Sequence, residues 1–212
     1  MMRQEWRRPT GVLADLLRVA ALASVLAALV WYPMEAVIRF GLVLLVLLVP
    51  RLIRVPRPFD AAFGATLLLA AWAGVAHWYT TVVWMDEAVH LVTPGATAAM
   101  CYLVLACTGL LPRPQDPTIR RHRSSVTLLV LSLGLTVASL WELYEWTANR
   151  LLAATIQVGY DDTISDLALG GLGSLLAGLV LAWWAASGYG PRLRTDARPK
   201  GHEITSTDGG DW

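Results

Sequence analysis

Trp141-Glu142-Leu143-Tyr144-Glu145-Trp146 closes one apolar run, and Tyr160-Asp161-Asp162-Thr163-Ile164-Ser165-Asp166 opens the next. These acids sit at the ends of segments that otherwise read as membrane spans. A charged side chain at bilayer depth costs at least about 2.5–3.5 kcal/mol. Something must compensate that cost, and the function is expected to lie in whatever does so.

The bulk composition agrees with a membrane setting. Of 212 residues, 56% are hydrophobic and only 16% are charged, against roughly 25% in ordinary globular chains. Mean hydropathy is +0.51. This excludes an ordinary soluble domain. Ten tryptophans suit interfacial anchoring. Cys101 and Cys107, six residues apart in an apolar run, fall on different faces of a helix and read as small buried side chains.

Outward from the acidic stretch, the pattern predicts an all-α polytopic protein with six transmembrane helices, at about 11–32, 36–53, 61–79, 84–111, 126–148 and 163–186. The first run is longer than a typical signal-peptide core and reads as a retained span. Prolines 50, 56 and 58 are expected to form a basic loop with Arg51, Arg54 and Arg57, and Pro94 to kink the fourth span or split off a short turn. Residues 1–10 form a cytoplasmic N-terminus, 11–186 the membrane domain, and 187–212 a polar tail expected to be disordered.

Basic residues fix the expected orientation. Arg3, Arg7 and Arg8 precede span one, and Arg51, Arg54 and Arg57 follow span two. Arg113, Arg120, Arg121 and Arg123 follow span four, and Arg192, Arg194, Arg198 and Lys200 occupy the tail. The intervening loops hold only Arg150. By the positive-inside rule both termini are then cytoplasmic.

That topology brings three pairs to the outer end of the bundle: Asp86 and His90 from span four, Glu142 and Glu145 from span five, Asp162 and Asp166 from span six. Spacings of i,i+4 and i,i+3 place each pair on one helix face. Glu142 lies about 16 residues into its span, roughly 25 Å along a core about 30 Å thick. Taken alone, Asp162 also reads as a helix N-cap, and Asp86 or Glu87 as a first-turn acid. Glu142 and Glu145 fit neither role, being expected at a helix C-terminus, where the dipole disfavours anions.

So many carboxylates cannot all ionise in a low-dielectric site without cations. A divalent metal (Mg, Mn, Zn or Fe), shared protons, or pairing with Arg39 or Arg150 are the available escapes, and metal is preferred. Asp162, Asp166, Gly170, Ser174 and Gly178 also form an i+4 ridge, whose small members would let neighbouring helices approach closely.

Three motifs in order, Asp86-Glu87-Ala88-Val89-His90, the Trp141–Trp146 segment, and Asp162-Thr163-Ile164-Ser165-Asp166 followed by Gly170 and Gly171, resemble the YjdF family of bacterial inner-membrane proteins and, more distantly, VanZ-like proteins. The likeness covers about 84–178. VanZ-like members are associated with glycopeptide tolerance, so the resemblance implies work in the cell envelope.

The leading expectation is a metal-dependent hydrolase or transferase acting on a lipid or lipid-linked envelope substrate. Asp86, His90, Glu142, Glu145, Asp162 and Asp166 would hold the metal. Glu87 or Asp161 would act as general base, and Arg39 or Arg150 would meet a phosphate. Membrane lipids are the expected partners, and nucleic acid is not. The alternatives are a proton- or cation-coupled transporter, which the small size and absent inverted repeat disfavour, and a non-catalytic protein holding a structural ion.

Overall fold

The computed structural model describes residues 7–116, 121–151 and 159–187. Arg3, Arg120 and the polar tail from 188 onward lie outside these. Seven helices follow in order: α1 (Arg7–Trp31), α2 (Met34–Ile53), α3 (Arg57–Val75), the single-turn α4 (Trp78–Thr81), α5 (Met85–Cys107), α6 (His122–Leu151) and α7 (Tyr160–Ala186). All but α4 are long and apolar enough to cross a membrane, and no strand occurs among the described residues. The all-α, six-span architecture expected from hydropathy is therefore present.

The helices form two groups joined through α3. α1, α2 and α3 pack on one another, α5, α6 and α7 pack on one another, and α3 lies against α5. α5 is the most enclosed, with 56% of its span buried. Large apolar side chains such as Leu16, Val19, Leu52, Leu143 and Trp183 face outward. Small residues fill much of the interior, among them Ala98, Ala99, Ala138, Gly170, Gly173 and Ser174. That inversion of a soluble protein's pattern is what lipid favours, since acyl chains are as apolar as leucine and close packing must hold helices together.

The small ridge on α7 behaves as its spacing implies. A Cβ on Gly170 would come within 2.8 Å of the Ala138 Cβ on α6. A Cβ on Gly173 would strike the backbone carbonyl of Leu91 on α5, and one on Gly178 would stand 3.0 Å from the Thr127 backbone. α7 therefore touches α5 and α6 almost backbone to backbone. Ser174 avoids an unpaired hydroxyl by donating to Gly170 O at 2.6 Å.

Pro50 departs from expectation, and of the two alternatives for Pro94 the split-off turn does not occur. Pro94 lies inside a continuous α5, and no separate turn splits off. α2 likewise continues through Pro50 and ends only at Arg54, whose φ of 62° is a left-handed cap donating its N–H to Pro50 O. Pro58 falls in the first turn of α3, where a missing N–H costs little. α3 stops at Val75, and His77 (φ 57°) turns the chain into α4. Cys107 is exposed rather than buried.

Candidate metal centre

The end of the bundle formed by the start of α5, the late part of α6 and the start of α7 gathers most of the polar residues that the sequence singles out. His90, on the fully buried face of α5, is 2% exposed. Its Nε2 lies 3.5 Å from Asp86 Oδ1, one turn back on the same helix. Its Nδ1 faces the other two helices, 3.7 Å from Glu142 Oε1 on α6 and 4.0 Å from Asp166 Oδ1 on α7. Trp141 covers the imidazole edge-on, with ring centroids 5.3 Å apart.

Burial raises the stakes for each acid. Glu142 and Asp166 are enclosed, and Glu142 Oε1 has no hydrogen-bond partner. A buried charged acceptor without a donor is costly. Glu145 is half-buried and its Oε1 accepts a 2.8 Å bond from Trp141 Nε1. Atoms of Asp86, His90 and Asp166 fall within 4.8 Å of one another, and so do atoms of His90, Glu142 and Glu145. Donor atoms about 2.0–2.2 Å from one ion stand roughly 3–3.6 Å apart by simple geometry. The 3.7 and 4.0 Å separations from Nδ1 are too long for good hydrogen bonds and slightly wider than such a ligand shell. The residues present fit a divalent cation.

Other residues stand differently. Asp162 is half-buried in the first turn of α7, within electrostatic reach of Asp86, Glu145 and Asp166. It is not the N-cap: Gly159 is, and the helix begins two residues before Asp162. Glu87 and Asp161 are exposed, outside both groups of potential ligands. Arg150 is exposed in the last turn of α6. Because α6 runs on to Leu151, Glu142 and Glu145 lie well before its C-terminus. Burial, not the helix dipole, therefore dominates their cost.

Arg39 reaches the neighbourhood from α2. It pairs with Glu35 at 2.6 Å, and its guanidinium fills the notch left by Gly74 on α3, so a Cβ there would collide with it. Tyr79 borders the same notch and donates a 3.3 Å bond to Ala70 O. Burial, then the charges of Asp86 and Glu145, push its phenol above the ordinary range, while Arg39 opposes them. Tyr79 thus remains a neutral O–H beside the acids.

Sequence reading missed Tyr79 and Thr93, whose buried hydroxyl lacks a partner one turn beyond His90. It also missed Asp60 at the opposite end. That side chain is 2% exposed and takes a 2.7 Å salt bridge from Arg18 on α1, with Arg57 at 3.5 Å. Arg18 also donates to Leu47 O at 2.9 Å, tying α1, α2 and α3 together. The Arg57-x-x-Asp60 spacing at a helix start was the available signal.

Residues 11–187 match the model of a family described as predicted membrane protein (DUF2238), which spans all six long helices. The chain belongs to this family. YjdF-like is another name for the DUF2238 family, so that resemblance holds over most of the chain, and the VanZ likeness is not shown. Neither the curated proteins nor the solved structures compared with this DUF2238 chain include a significant match.

Proposed function

We propose that this DUF2238 protein binds a divalent metal ion (Mg, Mn, Zn or Fe) at the end of its bundle where α5, α6 and α7 meet. We further propose that it works as a hydrolase or transferase on a lipid or lipid-linked envelope substrate. One observation carries the reading: His90 Nδ1 and the unpartnered Glu142 Oε1 face each other at 3.7 Å inside the protein, with Asp166 from a third helix alongside. In this arrangement His90, Glu142, Glu145 and Asp166 hold the ion, with Asp162 at its margin. Asp86, on the far ring nitrogen, orients the imidazole as carboxylates do for metal-bound histidines. A bound divalent ion supplies Lewis acidity toward water or a phosphoryl oxygen.

Among the described residues, Arg51, Arg54 and Arg57 lie at the junction of α2 and α3 and Arg113, Arg121 and Arg123 at that of α5 and α6, at the end away from the acids. By the positive-inside rule this favours cytoplasmic termini and a centre at the outer leaflet of a bacterial inner membrane. Arg39, held beside Tyr79 by the Gly74 notch, is better placed than exposed Arg150 to meet an anionic headgroup. Asp162, half-buried at the margin of the ion, is a better-placed base than Glu87 or Asp161, which lie on the surface. Elemental analysis of detergent-purified protein tests the reading. Stoichiometric divalent metal in the wild type, lost in Glu142→Gln, is the expected result. Wild-type protein that is folded yet binds no added divalent ion overturns it.

Among the described residues no arginine pairs with the facing acids, which also allows shared protons and hence a proton-coupled transporter. Proton-driven flux into proteoliposomes that is lost in Glu145→Gln would select that alternative. Chelation that lowers thermal stability without affecting any lipid turnover would select a structural ion.

A further inference from the structure

At the end of the bundle away from the carboxylates, the chain reverses between α2 and α3 around a cleft of about 410 Å³ lined by Arg51, Arg54, Val55 and Arg57. Small-molecule sites commonly fall in the range of ~300–1,000 Å³. The left-handed cap at Arg54 and the buried Val55 set the reversal, placing two guanidinium groups from the end of α2 opposite one from the start of α3.

Local acids do not neutralise this cluster. Arg51 reaches Asp15 only at 4.0 Å, and Arg57 reaches Asp60 at 3.5 Å. Arg18 already takes both of those carboxylates, at 3.3 and 2.7 Å. Arg54 has no ion-pair partner among the described residues. Arg18, Arg51 and Arg57 share two aspartates and Arg54 has none, leaving two positive charges unanswered at a concave surface. Arginine's planar fork suits the oxygens of a phosphate.

We propose that this cleft binds the phosphodiester headgroup of an anionic phospholipid. A soluble phosphate would satisfy the same arginines, but the surroundings favour the lipid. Leu52, next to Arg51, is 79% exposed, and Leu48 and Val49 continue that outward apolar surface along α2. Acyl chains can lie on those residues while the headgroup enters the cleft. Basic pockets between membrane helices take lipid headgroups in this manner. The inference does not depend on the metal centre.

Native mass spectrometry of the full chain in detergent, titrated with phosphatidylglycerol or phosphatidylcholine, tests it. The wild type should retain phosphatidylglycerol preferentially. The double variant Arg51→Gln/Arg54→Asn should lose about tenfold or more of that occupancy, where asparagine tolerates the left-handed backbone. Arg113→Gln/Arg123→Gln removes equal charge from two other exposed positions and should change it less than twofold. Should the first double variant fail to stay monodisperse, Arg54→Asn alone leaves every ion pair intact and carries the same test. Equal losses in both double variants, or no preference for phosphatidylglycerol, overturn the proposal. Inorganic phosphate that stabilises lipid-free wild type but not Arg51→Gln/Arg54→Asn, without phosphatidylglycerol retention, assigns the cleft to a soluble phosphate and also overturns it.

Discussion

His90 Nδ1 stands 3.7 Å from Glu142 Oε1, an oxygen that receives no hydrogen bond and is shut away from solvent. If the proposed ion binds, this oxygen would be a ligand, and without metal it is one of several crowded acids. Opposite effects of one substitution follow. Glu142→Gln should raise the unfolding temperature of metal-stripped protein, since it removes a buried charge beside Asp166. It should also abolish the stabilisation that added metal gives the wild type. Thermal unfolding with and without chelator reads both.

Asp86 lies 3.5 Å from the far nitrogen of His90. If it orients the ring, Asp86→Asn weakens metal affinity by about 10–100-fold without abolishing it. Glu142→Gln or His90→Ala should cost more. Calorimetric titration of purified variants ranks them, and a larger loss for Asp86→Asn would make it a direct ligand.

Asp60 answers Arg18 at the other end of the bundle, both being well buried. Asp60→Ala should destabilise by about 3 kcal/mol, because the largely buried guanidinium keeps only the half-exposed Asp15 as a counterion. Combining it with Arg18→Met should recover much of that loss. Unfolding of the two single variants and the double variant gives the coupling.

Glycine positions should divide sharply. Gly173→Ala sets a methyl against the Leu91 backbone, which cannot move aside as a flexible side chain would, and costs about 1–3 kcal/mol or more. Gly41→Ala meets nothing within 4 Å and should stabilise α2 by up to about 1 kcal/mol. Thermal shifts of the two variants in opposite directions are the expected outcome.

Gly74→Ala should displace Arg39 from beside Tyr79. The penalty should vanish in an Arg39→Ala background, where the notch is vacant. Additive losses in the double variant would show that Gly74 matters for another reason.

Hydropathy made the six spans legible because lipid imposes continuous apolar length on each. The i,i+4 spacing of Asp86 with His90, and the α7 ridge through Asp166 and Gly170, revealed which faces converge, since helix periodicity fixes side-chain direction. Helix ends were less legible. α6 extends past the expected Ala148 to Leu151 and α7 starts at Tyr160 instead of 163, so charged first and last turns hid inside what looked like loops. Pro50 read as a break, and Pro94 as a kink or a break, because composition does not show how neighbouring helices support the backbone around a proline. Asp60 escaped notice because its partner is 42 residues away on another helix, a pairing that no local pattern encodes. The exposure of Glu87 and Asp161, next in sequence to half-buried acids, likewise depends on the rotation of α5 and α7 about their axes.

The Arg18–Asp60 bridge also bears on how the protein is made. α1 leaves the ribosome carrying a guanidinium whose carboxylate lies 42 residues downstream. Until α3 has entered the bilayer, that cation has only Asp15, one turn away on the same helix, as a counterion. Full burial of Arg18 therefore waits on the third helix, which couples the settling of the first span to the arrival of the third.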